Sequence, residues 1–143
     1  RFIEVSEIKA FQLWANANGW NVVTAPNLFG KYNQFSGSIN ERVSDIEWAL
    51  KNEDVKAVFC ARGGYGCTQL LKRINDFNFV QNPKWWIGFS DITTIHLTLQ
   101  SQGLASIHAP MVMQFNLQNE FNETNQRYLF NDHWTENCRI GYP

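Results

Sequence analysis

Two short stretches of this chain hold residues whose type and spacing could do chemistry. The first is Gly88-Phe89-Ser90-Asp91, a serine set between an apolar run and a helical pattern. A serine at such a strand-to-helix junction is lifted above the edge of the sheet, and the helix that follows turns its amides and positive dipole end toward whatever binds there. That is the logic of a nucleophile elbow, although Ile92 stands where G-x-S-x-G would have its second glycine. The plainer alternative is that Ser90 only caps the helix, a common use of serine. The second stretch is Arg62-Gly63-Gly64-Tyr65-Gly66. Its glycines let the backbone approach a ligand closely or take positive φ, and its amides could cradle a phosphate or an oxyanion. A tight turn would need the same glycines. The spacing is neither G-x-G-x-x-G nor a P-loop. Arg62 could hold a carboxylate or serve as an ordinary salt-bridge partner.

A nucleophilic serine needs a base. Three histidines are present, His96, His108 and His133. His96 lies six residues beyond Ser90, about 9 Å along a helix, so the spacing points it away from Ser90 as a packed or capping residue. His108 closes a later strand and could reach the site or act as a structural hydrogen-bonder. Among the three cysteines, Cys60 reads as core. Cys67 follows the glycine loop at a helix start, where a thiol pKa could be lowered, which leaves a cysteine nucleophile as a minor alternative. Cys138 falls in a polar tail. No Cys and His share metal-ligand spacing, so neither metal nor cofactor is expected.

The elements that must position these residues alternate along the chain. Ile3, Ile8, Phe11, Leu13, Trp14 and Ala17 follow a helical period with Gly19 as its stop. Residues 20–25 read as a short strand and 26–38 as a polar loop. Asn40 is placed to cap a helix whose stripe is Val43, Ile46, Ala49 and Leu50. The run 55–60 reads as a strand buried on both faces, 67–74 as a helix, 85–89 as a second buried strand, 90–99 as a helix ended by Gly103, and 104–108 as a third strand. After Pro110 a helix fades into a stretch rich in Asn, Gln and Glu. Strands separated by helices predict an α/β fold, an open and mostly parallel sheet with helices on both faces. In such sheets ligands bind beyond the C-terminal strand ends, where the loops 61–66, 88–91 and 108–111 fall.

Composition narrows the function classes. Twelve basic and thirteen acidic residues give a net charge of −1, without the basic footprint of a nucleic-acid binder. No apolar run approaches the roughly 20 residues of a membrane span. With 143 residues and 44% hydrophobic content the chain suits one domain with a real core. An odd, unpaired set of cysteines favours a reducing compartment, so a cytoplasmic location is expected. Six Trp leave room for an aromatic surface patch that a second copy would cover, which keeps a homodimer open.

RGGYG at 62–66 and GFSD at 88–91, in that order and about 24 residues apart, resemble the N-terminal part of the LD-carboxypeptidase family of serine peptidases. The resemblance extends over Gly37 to Arg42, Asp45, the run 55–66, the run 87–96, Gly103 and His108-Ala109-Pro110, most of residues 35–115. It implies a flavodoxin-like fold, close to class I glutamine amidotransferases, with a nucleophile-bearing domain over 1–117 and a polar linker over 118–143 toward a second domain. It implies Ser90 as nucleophile and oxyanion donors from the amides around Gly64 and of Asp91, with Arg62, Gly63 and His108 around the substrate. A Glu and a His from the second domain would complete the triad. Family members open with a strand before their first helix, so the resemblance implies a chain truncated at both ends, lacking that strand and inactive alone. The implied substrate is a peptidoglycan-derived tetrapeptide that loses a terminal D-amino acid. Some relatives instead cleave a peptide-nucleotide antibiotic and confer immunity. A non-catalytic carboxylate- or phosphate-binding module, and an amidotransferase-like enzyme using Cys67, remain the readings from other classes. Two departures from the family pattern stand out: Gln69 replaces a common Arg, and Ala109 a usual Gly.

Overall fold

Three parallel strands carry the site: β1 (Ala57–Phe59), β2 (Trp85–Gly88) and β3 (Ile107–His108), in the spatial order β1-β2-β3. The computed structural model describes residues 1–116, and the expected linker over 118–143, His133 and Cys138 lie outside them. Val58 pairs with Trp86, Phe59 with Ile87 and Gly88 with His108. Trp86, Ile87 and Gly88 are all buried, as a central parallel strand covered on both faces requires.

Successive strand residues face opposite sides of a sheet, and each side has its own core. Val58 packs with Val43 and Ile46 of helix α2 (Ile39–Lys51), Ile74 of helix α3 (Leu71–Ile74), and Ile95 and Leu99 of helix α4 (Thr93–Ser101). Phe59 packs on the other side with Ile8, Phe11 and Ala15 of helix α1 (Val5–Ala17) and with Val112 and Phe115. The Phe11 ring lies 4.8 Å from Phe59 and 4.9 Å from Phe115. Each large side chain buried in these clusters contributes about 1.5–3 kcal/mol. This is an open α/β sheet with helices on both faces.

The helix boundaries follow from their caps. A reciprocal capping box, Glu4 with Glu7, opens α1. Gly19 and Gly103, both at φ +78°, close α1 and α4, and the next residue in each case returns its N–H to a carbonyl five residues back (Trp20 to Ala15, Leu104 to Leu99). In α1 the buried stripe is Ile8, Phe11 and Ala15, whereas Leu13 and Ala17 are exposed. Ser38, and not Asn40, caps α2: its hydroxyl accepts from the Glu41 N–H while the Glu41 carboxylate takes the Ser38 N–H. Asn40 lies inside the first turn and bonds Arg73 instead.

Several elements are shorter or tighter than their sequence pattern. The first and third strands shrink to three and two residues. The expected helix over 67–74 is a 3-10 turn, Cys67–Leu70, followed by one turn of α3. Residues 20–25 form no strand. A strand exists only where a neighbour completes its ladder, and among the described strands β1 is outermost on that side. The loop 26–38 is anchored on α2 by Asp45, which accepts from both the backbone and side-chain amides of Asn27. At the far end of β2, Lys84 is buried and donates to the carbonyls of Asn52 and Val55, an arrangement that fixes where the strand begins.

Candidate active site

Ser90 sits directly beyond β2 with φ +63°, in the left-handed region that non-glycine residues rarely enter. Phe89 before it is fully extended, and a 3-10 turn, Ser90–Ile92, begins at once, leading into α4. The chain therefore reverses within three residues and leaves Ser90 exposed at the tip. Holding such a backbone costs about 1–3 kcal/mol, and strain of this kind concentrates at functional positions. The surroundings enforce it. A Cβ on Gly88 would lie 2.9 Å from Ile92 Cγ2 and 3.2 Å from Cys60 Cβ. Ile92, where an elbow motif would have its second glycine, thus folds back over Gly88 and closes the turn.

The glycine loop meets the serine. A Cβ on Gly63 would fall 3.4 Å from Ser90 Cβ and 3.2 Å from Met111 Cε. Ser90, Phe89, Arg62, Gly63, Gly64, Met111 and Met113 line a cavity of about 140 Å³ together with Arg1. That volume accepts a small acyl group and falls below the roughly 300 Å³ of a complete ligand pocket. A larger cavity of about 690 Å³ runs along β1 between α1 and α2; it reaches Arg62, Cys67 and Asp91 but not Ser90. Gly64 adopts φ +123°, and no described residue accepts a hydrogen bond from its amide.

The other candidates divide. Asp91 reaches the glycine loop, its Oδ2 accepting the Cys67 N–H at 3.0 Å. Arg62 lines the Ser90 cavity while its Nη1 stands 3.6 Å from Glu7 Oε1, so it is held by a partner on α1. His108 is exposed on β3 but outside this cavity; its ring lies 6.1 Å from those of Phe89 and His96. His96 reaches back so that Nε2 bonds the Gly88 carbonyl at 2.9 Å, while its Nδ1 is buried without a partner among the described residues. No carboxylate or imidazole of the described residues lines the Ser90 cavity, and no group of described His, Cys, Asp and Glu could hold a metal ion.

Cys60 and Cys67, the cysteines among the described residues, are free thiols there. Burial pushes Cys60 up to about 12. Burial, then the neighbouring Asp91 carboxylate, pushes Cys67 well above the ordinary thiol range. The expectation that a helix start would lower the Cys67 pKa is corrected: the helix is one 3-10 turn, and a buried site beside an anion disfavours the thiolate. The sequence reading also missed Arg42, whose Nη1 donates to the Gly66 carbonyl at 3.1 Å and whose Nη2 donates to Gln69 Oε1 at 2.8 Å. Gln69, one of the departures from the family pattern, is thus an Arg42 partner. Ala109, the other, is buried and donates its N–H to the Gly88 carbonyl.

Known proteins resemble this chain in sequence and in fold. A sequence model of the LD-carboxypeptidase N-terminal domain matches residues 3–109. A murein tetrapeptide carboxypeptidase of Pseudomonas aeruginosa is 39% identical over 83 residues, 57% of this chain and 27% of that protein. Among solved structures, a muramoyltetrapeptide carboxypeptidase from Oxalobacter formigenes superposes with a TM-score of 0.73 at 26% identity, covering 91% of this chain and 46% of that one. A microcin C7 self-immunity protein in complex with aspartyl sulfamoyl adenosine gives a TM-score of 0.76 at 21% identity, covering 87% and 38%, which speaks for the fold alone. The chain spans less than half the length of each of these relatives. With the strand-end serine, the glycine loop beside it and the matched residues 3–109 in hand, the chain belongs to the LD-carboxypeptidase family, over its N-terminal domain.

Proposed function

We propose that this chain is the nucleophile-bearing domain of a serine carboxypeptidase that hydrolyses an L,D-amide bond and releases the terminal D-amino acid of a peptidoglycan-derived tetrapeptide. The observation that carries the reading is Ser90: an exposed serine at φ +63° on the tip of a strand-to-helix reversal, sharing a small cavity with the glycine loop. In this reading Ser90 Oγ forms a bond to the scissile carbonyl carbon as a base takes its proton. The carbonyl oxygen gathers charge and is met by the N–H groups of Gly64 and Asp91, each such donor contributing about 2.7–4 kcal/mol. Collapse breaks the C–N bond, the amine leaves with the proton returned by the base, and water then hydrolyses the acyl-serine. The Ser90 cavity contains no carboxylate or imidazole from residues 1–116, and His96 has its Nε2 committed to Gly88. In this reading the base comes from outside residues 1–116, where the family resemblance implies a Glu and a His of a second domain.

The 39% identity to a murein tetrapeptide carboxypeptidase ranks this substrate ahead of the peptide-nucleotide cleaved in an immunity reaction, for which the likeness is 21%. The test is D-alanine release from an L,D-linked tetrapeptide by the full-length protein, run beside an aminoacyl sulfamoyl nucleotide. Release from the tetrapeptide supports the proposal. Turnover of the nucleotide alone replaces it with the immunity reaction, and binding without turnover of either replaces it with a binding module.

A further inference from the structure

We propose that Arg42 and the side chain of Asp91 are positioning residues that set the oxyanion-donating loop by gripping one peptide group, Gly66–Cys67, from its two ends; this rests on the serine-hydrolase reading above. The carbonyl of that peptide accepts from Arg42 Nη1 at 3.1 Å, and its N–H donates to Asp91 Oδ2 at 3.0 Å. In a trans peptide the C=O and N–H point in opposite directions, so the cation of α2 and the anion of the elbow stand on opposite sides of the loop. Each meets the pole of the peptide dipole it attracts. A flipped peptide would present its carbonyl to the carboxylate and its N–H to the guanidinium, repulsive at both ends. The clamp therefore selects one of the two orientations of the Gly66–Cys67 peptide, and with it the ψ of −8° at Gly66.

Arg42 is built to hold still. Its Nε donates to the Ser38 carbonyl at 3.4 Å, its Nη2 donates to Gln69, and the guanidinium lies 5.1 Å from the centre of the Phe35 ring. Phe35 is itself backed by Tyr65 of the glycine loop, ring centres 5.7 Å apart. Glycine at 66 is what admits this grip: a Cβ there would lie 2.9 Å from the Phe35 ring and 3.1 Å from Arg42 Nη1. Asp91 follows Ser90 directly, so its carboxylate ties the donor loop to the nucleophile itself. The two halves of the proposed site are thereby held in register by a contact 24 residues apart in sequence.

The experiment uses the full-length protein with Arg42→Met, Arg42→Lys, Asp91→Ala and Asp91→Asn, and two readouts. Hydrogen exchange of the Cys67 amide reads the clamp without reference to catalysis. Steady-state kinetics on the tetrapeptide read its consequence. Arg42→Met and Asp91→Ala should each speed exchange at Cys67 by about tenfold or more. Each should lower kcat by about 10²-fold, the cost of misplacing a reacting group by about 1 Å, with KM little changed. Arg42→Lys and Asp91→Asn, which keep a donor and an acceptor, should recover part of both losses; if the larger changes prevent folding, this conservative pair alone decides. Because both residues hold one peptide, the double variant should lose less than the product of the two single losses. Unchanged exchange, or faster exchange with kcat intact, overturns the proposal. If Ser90→Ala keeps its turnover while Arg42→Met still loosens Cys67, it is the serine reading that has failed and the clamp that stands.

Discussion

Replacing Gly64 and Gly66 by alanine, one at a time, separates what the glycine loop does from what it merely permits. Both residues sit at positive φ, +123° and +116°, so either alanine carries about 1–3 kcal/mol of backbone strain. The new methyl groups meet different things. At position 64 the nearest atom is Arg1 Cγ at 3.3 Å, part of a side chain that can swing aside. At position 66 the methyl lies 2.9 Å from two carbons of the Phe35 ring and 3.1 Å from Arg42 Nη1. Overpacking of that kind adds about 1–3 kcal/mol. Gly64→Ala should therefore cost about 1–3 kcal/mol of stability and Gly66→Ala about 2–6 kcal/mol. Activity should not follow the same proportion. If the Gly64 amide is an oxyanion donor, displacing it costs a further 10²–10³ in kcat, roughly 2.7–4 kcal/mol. The assay is urea unfolding of the full-length protein followed by kcat under conditions where both variants are folded. The reasoning is refuted if Gly64→Ala keeps its kcat once folded, or if it is destabilised more than Gly66→Ala.

Four further outcomes are expected. Cys60, held near 12, and Cys67, also raised, should resist iodoacetamide in the native protein at pH 8 and react on unfolding. Both thiols stay protonated in the folded state where the unfolded chain would release protons, so their contribution is complete below the ordinary thiol value near 9 and stability falls as pH rises above it; a urea midpoint that climbs between pH 8 and 10 would contradict this. Ser38→Ala should cost about 1 kcal/mol through loss of the α2 cap, against less than about 0.5 kcal/mol for Asn40→Ala, measured by thermal unfolding. Trp86 is buried, and its Nε1 lacks a partner among the described residues. Trp86→Phe should thus cost clearly less than Trp86→Ala, for which about 3–5 kcal/mol is expected.

The parts of this molecule that were legible in the sequence are those set by local patterning. The α2 stripe of Val43, Ile46 and Ala49 is buried as its spacing says, and the apolar run at 85–88 becomes the covered central strand. The strand-to-helix reversal at Ser90 could be read because a glycine, a serine and a change of period coincide there. What escaped was settled by contacts across the fold. Residues 20–25 have the composition of a strand, but pairing decides strands and their own sequence cannot show a neighbour. Ser38 displaced Asn40 as the cap because the reciprocal bond with Glu41 fixes the helix start two residues earlier. The Cys67 thiol depends on an aspartate 24 positions away, and Arg42 gains its role only when α2 docks beside the glycine loop. His96 was expected to be a packing or capping residue, and it reaches back to the Gly88 carbonyl, a specific partner that helix geometry alone does not reveal.

Covalent capture tests the central claim most directly. The full-length protein is treated with a fluorophosphonate, digested, and the modified peptide identified by mass spectrometry beside a parallel measurement of D-alanine release. The account predicts one adduct, on Ser90, forming in step with loss of release. It also predicts that Ser90→Ala folds normally, takes up no label and loses turnover by roughly 10⁴-fold or more. An adduct on another residue that tracks the loss of activity, or a Ser90→Ala protein that still releases D-alanine at the original rate, would contradict it.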